Sequence, residues 1–460
     1  MSSGQSQRTN GDARADKSVI VLVDSKTRDL DVATLIAHHL RNRGIVCHLE
    51  PLEAYRAVLA AYRPGMIIFN HLMASHLVAW SRRLAEMGVL TAVLPNEGIF
   101  YDQEQLEYYA GRHHNGAHID YFFCWNDVHR QAILAHGMRD DTRVEVVGVP
   151  RFDFYFEPWS RVVYRPEPVR SSRPKVLFCT NFGTAYFRDL PREQADKLFA
   201  PWKDRIRIYS NYWQSIEAQW NSRERAFDFL NALVQADKYE ILLRPHPMEE
   251  TSIYKNWLDR LPAAQRQHIR MDATSNITPL ILDCDLQISC ETCTTALESW
   301  IAGKPTVELL FDRDPLWYFD EPAKGNVPCS DPTRLVDLVD KALAEPLPGA
   351  QAEARHAHLA KWCSTPDGSS SERIAELVAD ALRGKAAADW SRLRPNDYRR
   401  SVKLQGLRSL GLAYHFDPLL MLKRTMFPSR YSVKDWTYKK SIKPADVENA
   451  RQRLELRLGS

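Results

Sequence analysis

Short apolar runs recur along this chain, and helical periodicity fills the gaps between them. The runs from Val19 to Val23, Ile45 to Leu49, Met66 to Phe69, Leu90 to Leu94, Tyr121 to Cys124 and Val144 to Val147 each predict a strand. Leu30 to Arg43 has a 3.6-residue period and closes on Gly44, and Asp127 to His136 repeats that role. Such alternation predicts a parallel, doubly wound sheet. Phe156 to Pro174 is rich in Pro, Arg and Ser and has no period, as expected of a linker. A second alternation then begins. Strands are expected at Lys175 to Thr180, Glu240 to Leu243, Leu286 to Ser289 and Thr306 to Phe311, with a helical insertion from Leu190 to Asp237 and a closing helix from Ser371 to Leu382. The expected layout is a leader over 1–17, a first α/β domain over 18–155, a linker over 156–174, a second α/β domain over 175–382 and a tail over 383–460.

Length permits this, since 460 residues can bury two or three cores. The leader is polar and has no apolar centre, so it reads as a disordered arm rather than a signal peptide. No apolar run reaches the ~18 residues a membrane span needs. Eight cysteines without a paired framework fit a reducing cytoplasm. Cys290 and Cys293 form a CxxC at a helix start, but no second pair completes a zinc site. Small buried packing residues are the expectation there.

Charge changes the picture more. From Arg383 to Ser460 there are 18 Lys+Arg against 7 Asp+Glu, while the rest of the chain has 43 against 51. A basic tail on an acidic body asks for an anionic partner. From Trp390 to Trp436 the basic residues are mixed with Leu404, Leu407, Leu410, Leu412, Phe416, Leu419, Leu420, Leu422, Met426, Phe427 and Trp436. This mixture suits an anionic membrane surface. It suits equally a helical extension packed on the first domain. An acidic body with no recognisable motif argues against nucleic acid.

Ligands of open α/β sheets lie beyond the carboxyl ends of the strands. Four such loops carry chemistry here. Lys26 and Arg28, with Asp24 and Asp29, follow the first strand, and Asn181 follows the first strand of the second domain. These three residues, Lys26, Arg28 and Asn181, are candidates for an acceptor or a sugar carboxylate. Glu97, between Asn96 and Gly98, is a candidate general base. His246 is fixed between two prolines and could face a phosphate, with Arg244 as a fork beside it. Ser289, Thr294 and Thr295 line a helix start, where free N–H groups and hydroxyls favour phosphate. Glu298 could accept a ribose diol, or close a capping box with Thr295. Asp283-x-Asp285 and Asp312-x-Asp314 could hold a metal, but such strings arise often by chance.

The segments VLVDSKTRDLD, LPNEG, FFCWND, VVGVPRFD, LFCTNFG, LLRPHPME and CETCTTALESWIAGKPTVEL together resemble the bacterial surface carbohydrate biosynthesis proteins. That family is similar to transferases of GT-B architecture, two Rossmann-like domains facing a cleft, that use CMP-activated Kdo or sialic acid. The resemblance covers about Lys17 to Leu382. It implies that Glu97 supplies the base, that His246 contacts the CMP phosphate, and that Ser289, Thr292, Thr294 and Thr295 hold the nucleotide. It departs from the sialyltransferase pattern in having Asn96 where a second acid is frequent, and no covalent nucleophile can be placed by motif. The implied protein is a cytoplasmic glycosyltransferase peripheral to the inner membrane, metal-independent, moving Kdo or a related ulosonic acid from a CMP-sugar to a glycan acceptor on a lipopolysaccharide or capsule. The acceptor could be lipid-linked. The rival expectations are a UDP- or GDP-sugar transferase, a glycerol-phosphate transferase, and a non-catalytic scaffold.

Overall fold

The computed structural model describes residues 17–113, 116–166, 171–291, 293–316, 318–426 and 441–458, without the side chains of residues 420 and 424. The chain divides into two compact units, one of residues 1–99, 110–153 and 367–460 and the other of residues 100–109 and 154–366.

The first unit is built on strands β1 (Val19–Val23), β2 (Cys47–Pro51), β3 (Met66–Phe69), β4 (Leu90–Val93), β5 (Tyr121–Cys124) and β6 (Arg143–Val146). Their order is β2-β1-β3-β4-β5-β6, with every pair parallel. All residues of β1, β3 and β5 are buried. This explains their unbroken apolar runs, because a parallel sheet is covered on both faces. The order reverses between β1 and β3, which defines a switch point at their carboxyl ends.

The second unit contains β7 (Lys175–Cys179), β8 (Glu240–Arg244), β9 (Ile269–Met271), β10 (Leu286–Cys290), β11 (Thr306–Leu309) and β12 (Val327–Cys329). They pair in the order β12-β11-β10-β7-β8-β9, again all parallel. The switch point lies between β7 and β10. The expected helical insertion resolves into helices Arg192–Phe199 and Tyr212–Ala236. The latter is capped by the Asn211 side chain and contributes Ala226, Phe229, Leu230 and Leu233 to the core.

Two placements differ from the sequence expectation. The helix Ser370–Leu382 does not close the second sheet. Its stripe Ile374, Ala375, Val378 and Leu382 joins the core of the first unit, against Ile36 and Leu40 of helix Leu30–Asn42. The Asp153 carboxylate fixes it there by accepting the N–H groups of Ser370 (3.0 Å) and Ser371 (2.7 Å). Arg43 adds Glu372 (3.2 Å) and Glu376 (3.0 Å). The VVGVPRFD segment is thereby a structural clasp. Gly148 within it has φ +87°, and a Cβ there would meet Ser370 Oγ at 2.6 Å.

Residues 100–109 belong to the second unit although they precede β5. Tyr101 bonds His358 Nε2 at 3.0 Å and Asp102 pairs with Arg207 at 3.3 Å, both within that unit.

The tail divides. Helix Pro395–Ser409 packs Leu404 inward, and its Asp397 accepts both terminal nitrogens of Arg83. Arg408 pairs with Glu50. Helix Pro444–Leu458 buries Ala450 and Leu454, and its Glu455 meets Arg41 at 2.5 Å while Arg453 meets Asp31. These two helices pack within the first unit. Helix Pro418–Met426, between them in sequence, is exposed. Among the described residues no helix is long and apolar enough to cross a membrane.

Candidate functional site

In the first unit the loops beyond β1, β3 and β4 carry the candidate residues. Arg28 holds Asp29 through Nε (2.7 Å) and lies 3.5 Å from Asp24 and 3.7 Å from Glu97. Asn70 donates to Asn96 Oδ1 at 2.8 Å, joining the β3 and β4 loops. The Glu97 side chain is 55% exposed. Its position is set by the next residue. A Cβ on Gly98 would lie 2.5 Å from the Trp125 ring, so only glycine lets the loop pass. Trp125 Nε1 donates to Pro95 O at 3.2 Å, and Asn126 Nδ2 donates to Gly98 O at 2.8 Å. Asn126 also caps helix Asp127–Ala135 through His129 N. The LPNEG and FFCWND segments are thus one interlocked feature. A cavity of about 50 Å³ beside it is lined by Val23, Arg28, Asn70, Asn96, Trp125 and Arg151. Lys26 is placed otherwise than Arg28, against Asp446 at 3.6 Å.

In the second unit, loops from four adjacent strands meet at the carboxyl edge. His246 follows β8. Its backbone N–H donates to Glu249 Oε1 (3.0 Å), and its Nδ1 accepts the N–H of Met248 (3.3 Å). A neutral ring with Nδ1 as acceptor carries its proton on Nε2. Gly183 of the β7 loop gives the ring room, since a Cβ there would meet Nδ1 at 3.3 Å. Asn181 spans the switch point by donating to Glu291 O at 3.1 Å. Thr294 is exposed at the start of helix Thr294–Ile301. Thr295 is turned inward, where its hydroxyl meets Gln287 Nε2 (3.2 Å) and Cys293 Sγ (3.0 Å). Thr292 lies outside the described residues.

Three candidates have duties other than those expected. Arg244 is buried, and its guanidinium donates to the carbonyls of Asp272 (2.9 Å) and Ser275 (2.7 Å), tying β8 to the loop after β9. Ser289 is fully buried inside β10, not on the turn. Glu298 is buried and accepts the Tyr155 hydroxyl at 2.6 Å. The helix begins after Cys293 with no side-chain cap, so Thr295 and Glu298 form no capping box. The CxxC cysteines are buried and free; burial pushes the Cys293 thiol up to about 12 and the Cys290 thiol well above its ordinary value. Of the acid pairs, Asp283 holds Lys175 at 3.0 Å, Asp285 accepts Lys175 N at 2.9 Å, Asp312 pairs with Arg225 at 2.9 Å, and Asp314 accepts Leu316 N at 2.8 Å. Among the described residues no group of three or more His, Cys, Asp or Glu is arranged to hold a metal.

Two carboxylates that sequence reasoning passed over organise this edge. Glu249 accepts Thr180 Oγ1 (2.6 Å), Phe182 N (3.0 Å), His246 N and the Tyr254 hydroxyl. Burial pushes its carboxyl above the ordinary value, against the pull of those four bonds. Glu291 has a left-handed backbone (φ +40°) and accepts Phe311 N (3.0 Å), Arg313 N (3.4 Å) and Ser222 Oγ (3.3 Å). Between them they pin the loops of β7, β8, β10 and β11. The signal for Glu249 was its place in the LLRPHPME segment; Glu291 gave none beyond preceding a turn.

A much larger cavity, about 750 Å³, lies at the other edge of this sheet, where Lys175, Thr306 and Val327 begin their strands. Size favours it, but the strand-end rule favours the carboxyl edge, where Asn181, His246 and Thr294 follow β7, β8 and β10.

Two Rossmann-like units with these strand orders constitute the GT-B fold. The solved wall teichoic acid polymerase TagF is similar to this chain, with a TM-score of 0.50 at 12% identity over 80% of this chain and 89% of that one. Similarity extends to S. aureus MnaA with UDP (TM-score 0.49, 11% identity, 80% of this chain, 97% of that). It extends also to UDP-GlcNAc 2-epimerase from Neisseria meningitidis (TM-score 0.48, 11% identity, 79% and 100%). At these identities the likeness is one of fold. Residues 192–326, which carry β8 to β11 and His246, match the model of the LIC12162 family transferases. No curated protein matches the chain.

Proposed function

We propose that this chain is a glycosyltransferase of bacterial surface-polysaccharide assembly whose donor is a CMP-activated ulosonic acid such as CMP-Kdo. The observation that carries the reading is the His246 imidazole beyond the end of β8, oriented by the Met248 N–H that its Nδ1 accepts. An Nε2–H donor suits a departing phosphate. Asn181 and Thr294, at the neighbouring strand ends, support the same reading, as donors for the remainder of the nucleotide-sugar. In this mechanism Glu97 takes the proton of the acceptor hydroxyl, the hydroxyl oxygen bonds to the anomeric carbon, and the bond from that carbon to the phosphate oxygen breaks. His246 stabilises the CMP that leaves. A monophosphate carries less charge than a diphosphate, so protein donors can serve without a metal ion. The acceptor is a growing glycan, lipid-linked in the simplest case, and the enzyme works on the cytoplasmic side of the inner membrane.

Thermal stabilisation by nucleotides tests the donor, because a ligand of the folded state raises stability by mass action. CMP is expected to raise the melting temperature, with UDP and GDP weaker and chelator without effect. A selective UDP shift that chelator removes would replace the CMP donor with a UDP-sugar and bring Asp312 and Asp314 forward.

A further inference from the structure

Among the described residues, thirteen large apolar side chains are exposed, and eight of them fall between Tyr398 and Met426. They are Tyr398, Val402, Leu410, Phe416, Leu419, Met421, Leu422 and Met426. Scattered single cases need no account, but this concentration in one short stretch does. The same stretch has six Lys/Arg and one acid, Asp417. Helix Pro418–Met426 places Leu419, Leu422 and Met426 at spacings of three and four, on one face, with exposures of 68%, 56% and 61%. Lys423 is exposed beside that face. The flanking helices, Pro395–Ser409 and Pro444–Leu458, are anchored to the first unit by buried leucines and ion pairs. Tyr398 and Val402 lie on the outer side of the first of these helices, and the other six follow it in the chain.

We propose that residues 398–426 are a membrane-surface element. The Leu419, Leu422 and Met426 face enters the headgroup boundary of an anionic bilayer, and Arg399, Lys403 and Lys423 lie against its phosphates. Charge selects this occupant over a second copy of the chain, since two such stretches, each with Lys/Arg in excess of its single acid, would repel each other. Apolar insertion and electrostatic attraction together make a reversible surface anchor, neither alone being strong. The proposal rests on the membrane location put forward above and is independent of the donor.

The test uses the full chain and sedimentation with vesicles. One set mixes phosphatidylglycerol with phosphatidylethanolamine; the other is phosphatidylcholine alone. The wild type is expected to bind the anionic vesicles at least tenfold more tightly than the zwitterionic ones, and 0.5 M salt should weaken that binding severalfold. The triple variant Leu419→Glu, Leu422→Glu, Met426→Glu should lose binding at least tenfold with an unchanged melting temperature, because these side chains support no core. Nucleotide binding read in parallel should be the same in both proteins. Wild-type indifference to anionic vesicles, or equal binding by the triple variant, would overturn the proposal. So would light scattering that finds a wild-type dimer which the triple variant converts to monomer.

Discussion

Glu249 Oε1 accepts the backbone N–H of His246 at 3.0 Å, and the same oxygen holds Thr180 Oγ1 and Phe182 N. One carboxylate thus fixes the loops of two neighbouring strands, and the imidazole takes its position from them. A group that positions another through hydrogen bonds should affect binding more than folding when its charge alone is removed. Glu249→Gln is expected to weaken nucleotide binding about tenfold, one donor interaction at about 1.4 kcal/mol, with little change in melting temperature. Glu249→Ala strands the four donors and should destabilise by about 2–4 kcal/mol. Calorimetric titration and urea unfolding of both variants measure the two effects. Equal nucleotide affinity in Glu249→Gln and wild type would deny it the positioning role.

Gly98 tests the interlock in the first unit. A methyl group there must displace the Trp125 ring, which is itself buried and bonded to Pro95 O. Gly98→Ala is expected to cost about 1–3 kcal/mol, the usual range for overpacking. Activity should fall more than stability, because Glu97 is the adjacent residue. Unfolding curves and turnover on the same preparation show this; a neutral substitution would mean that the loop can shift freely.

Buried histidines set the acid limit of the fold. Burial lowers His358 to about 4 and His39 to about 4 from an ordinary value of 6.5. The folded state therefore binds fewer protons than the unfolded chain between those values. Their contribution is fully present above about pH 6.5 and is lost as pH falls toward 4. Unfolding free energy measured across that window should decline with acid, and His358→Asn should flatten the decline by the share of one proton. An identical slope in the variant would place the titration elsewhere.

Much of the architecture was legible because parallel strands buried on both faces must be continuously apolar. Val19–Val23, Met66–Phe69 and Tyr121–Cys124 stand where the runs predicted them. The edge strands Ile269–Met271 and Val327–Cys329 escaped notice, since three residues with only one of them buried leave no run, and Pro328 argues against a strand unless it is an edge. Helix Ser370–Leu382 was visible from its period. Its partner was not, because that choice depends on Asp153, 217 residues earlier in the chain. Glu97 and His246 were read as single residues at strand ends, and each stands in a loop beyond a strand of its own unit. Arg244 and Ser289 were misread because the fate of a side chain at a strand end depends on loops that only folding assembles. Glu249 and Glu291 were missed for the same reason.

In the proposed mechanism the second unit binds a nucleotide phosphate through His246, while Glu97 acts on the acceptor. Titration of CMP into the wild type, His246→Ala and Glu97→Gln, with turnover of CMP-Kdo followed by CMP release in parallel, tests it most directly. His246→Ala is expected to lose CMP affinity about tenfold or more and to slow transfer on the order of 100-fold. Glu97→Gln should keep wild-type CMP affinity and lose turnover by a similar factor or more. CMP affinity unchanged in His246→Ala, or turnover retained in Glu97→Gln, would contradict it.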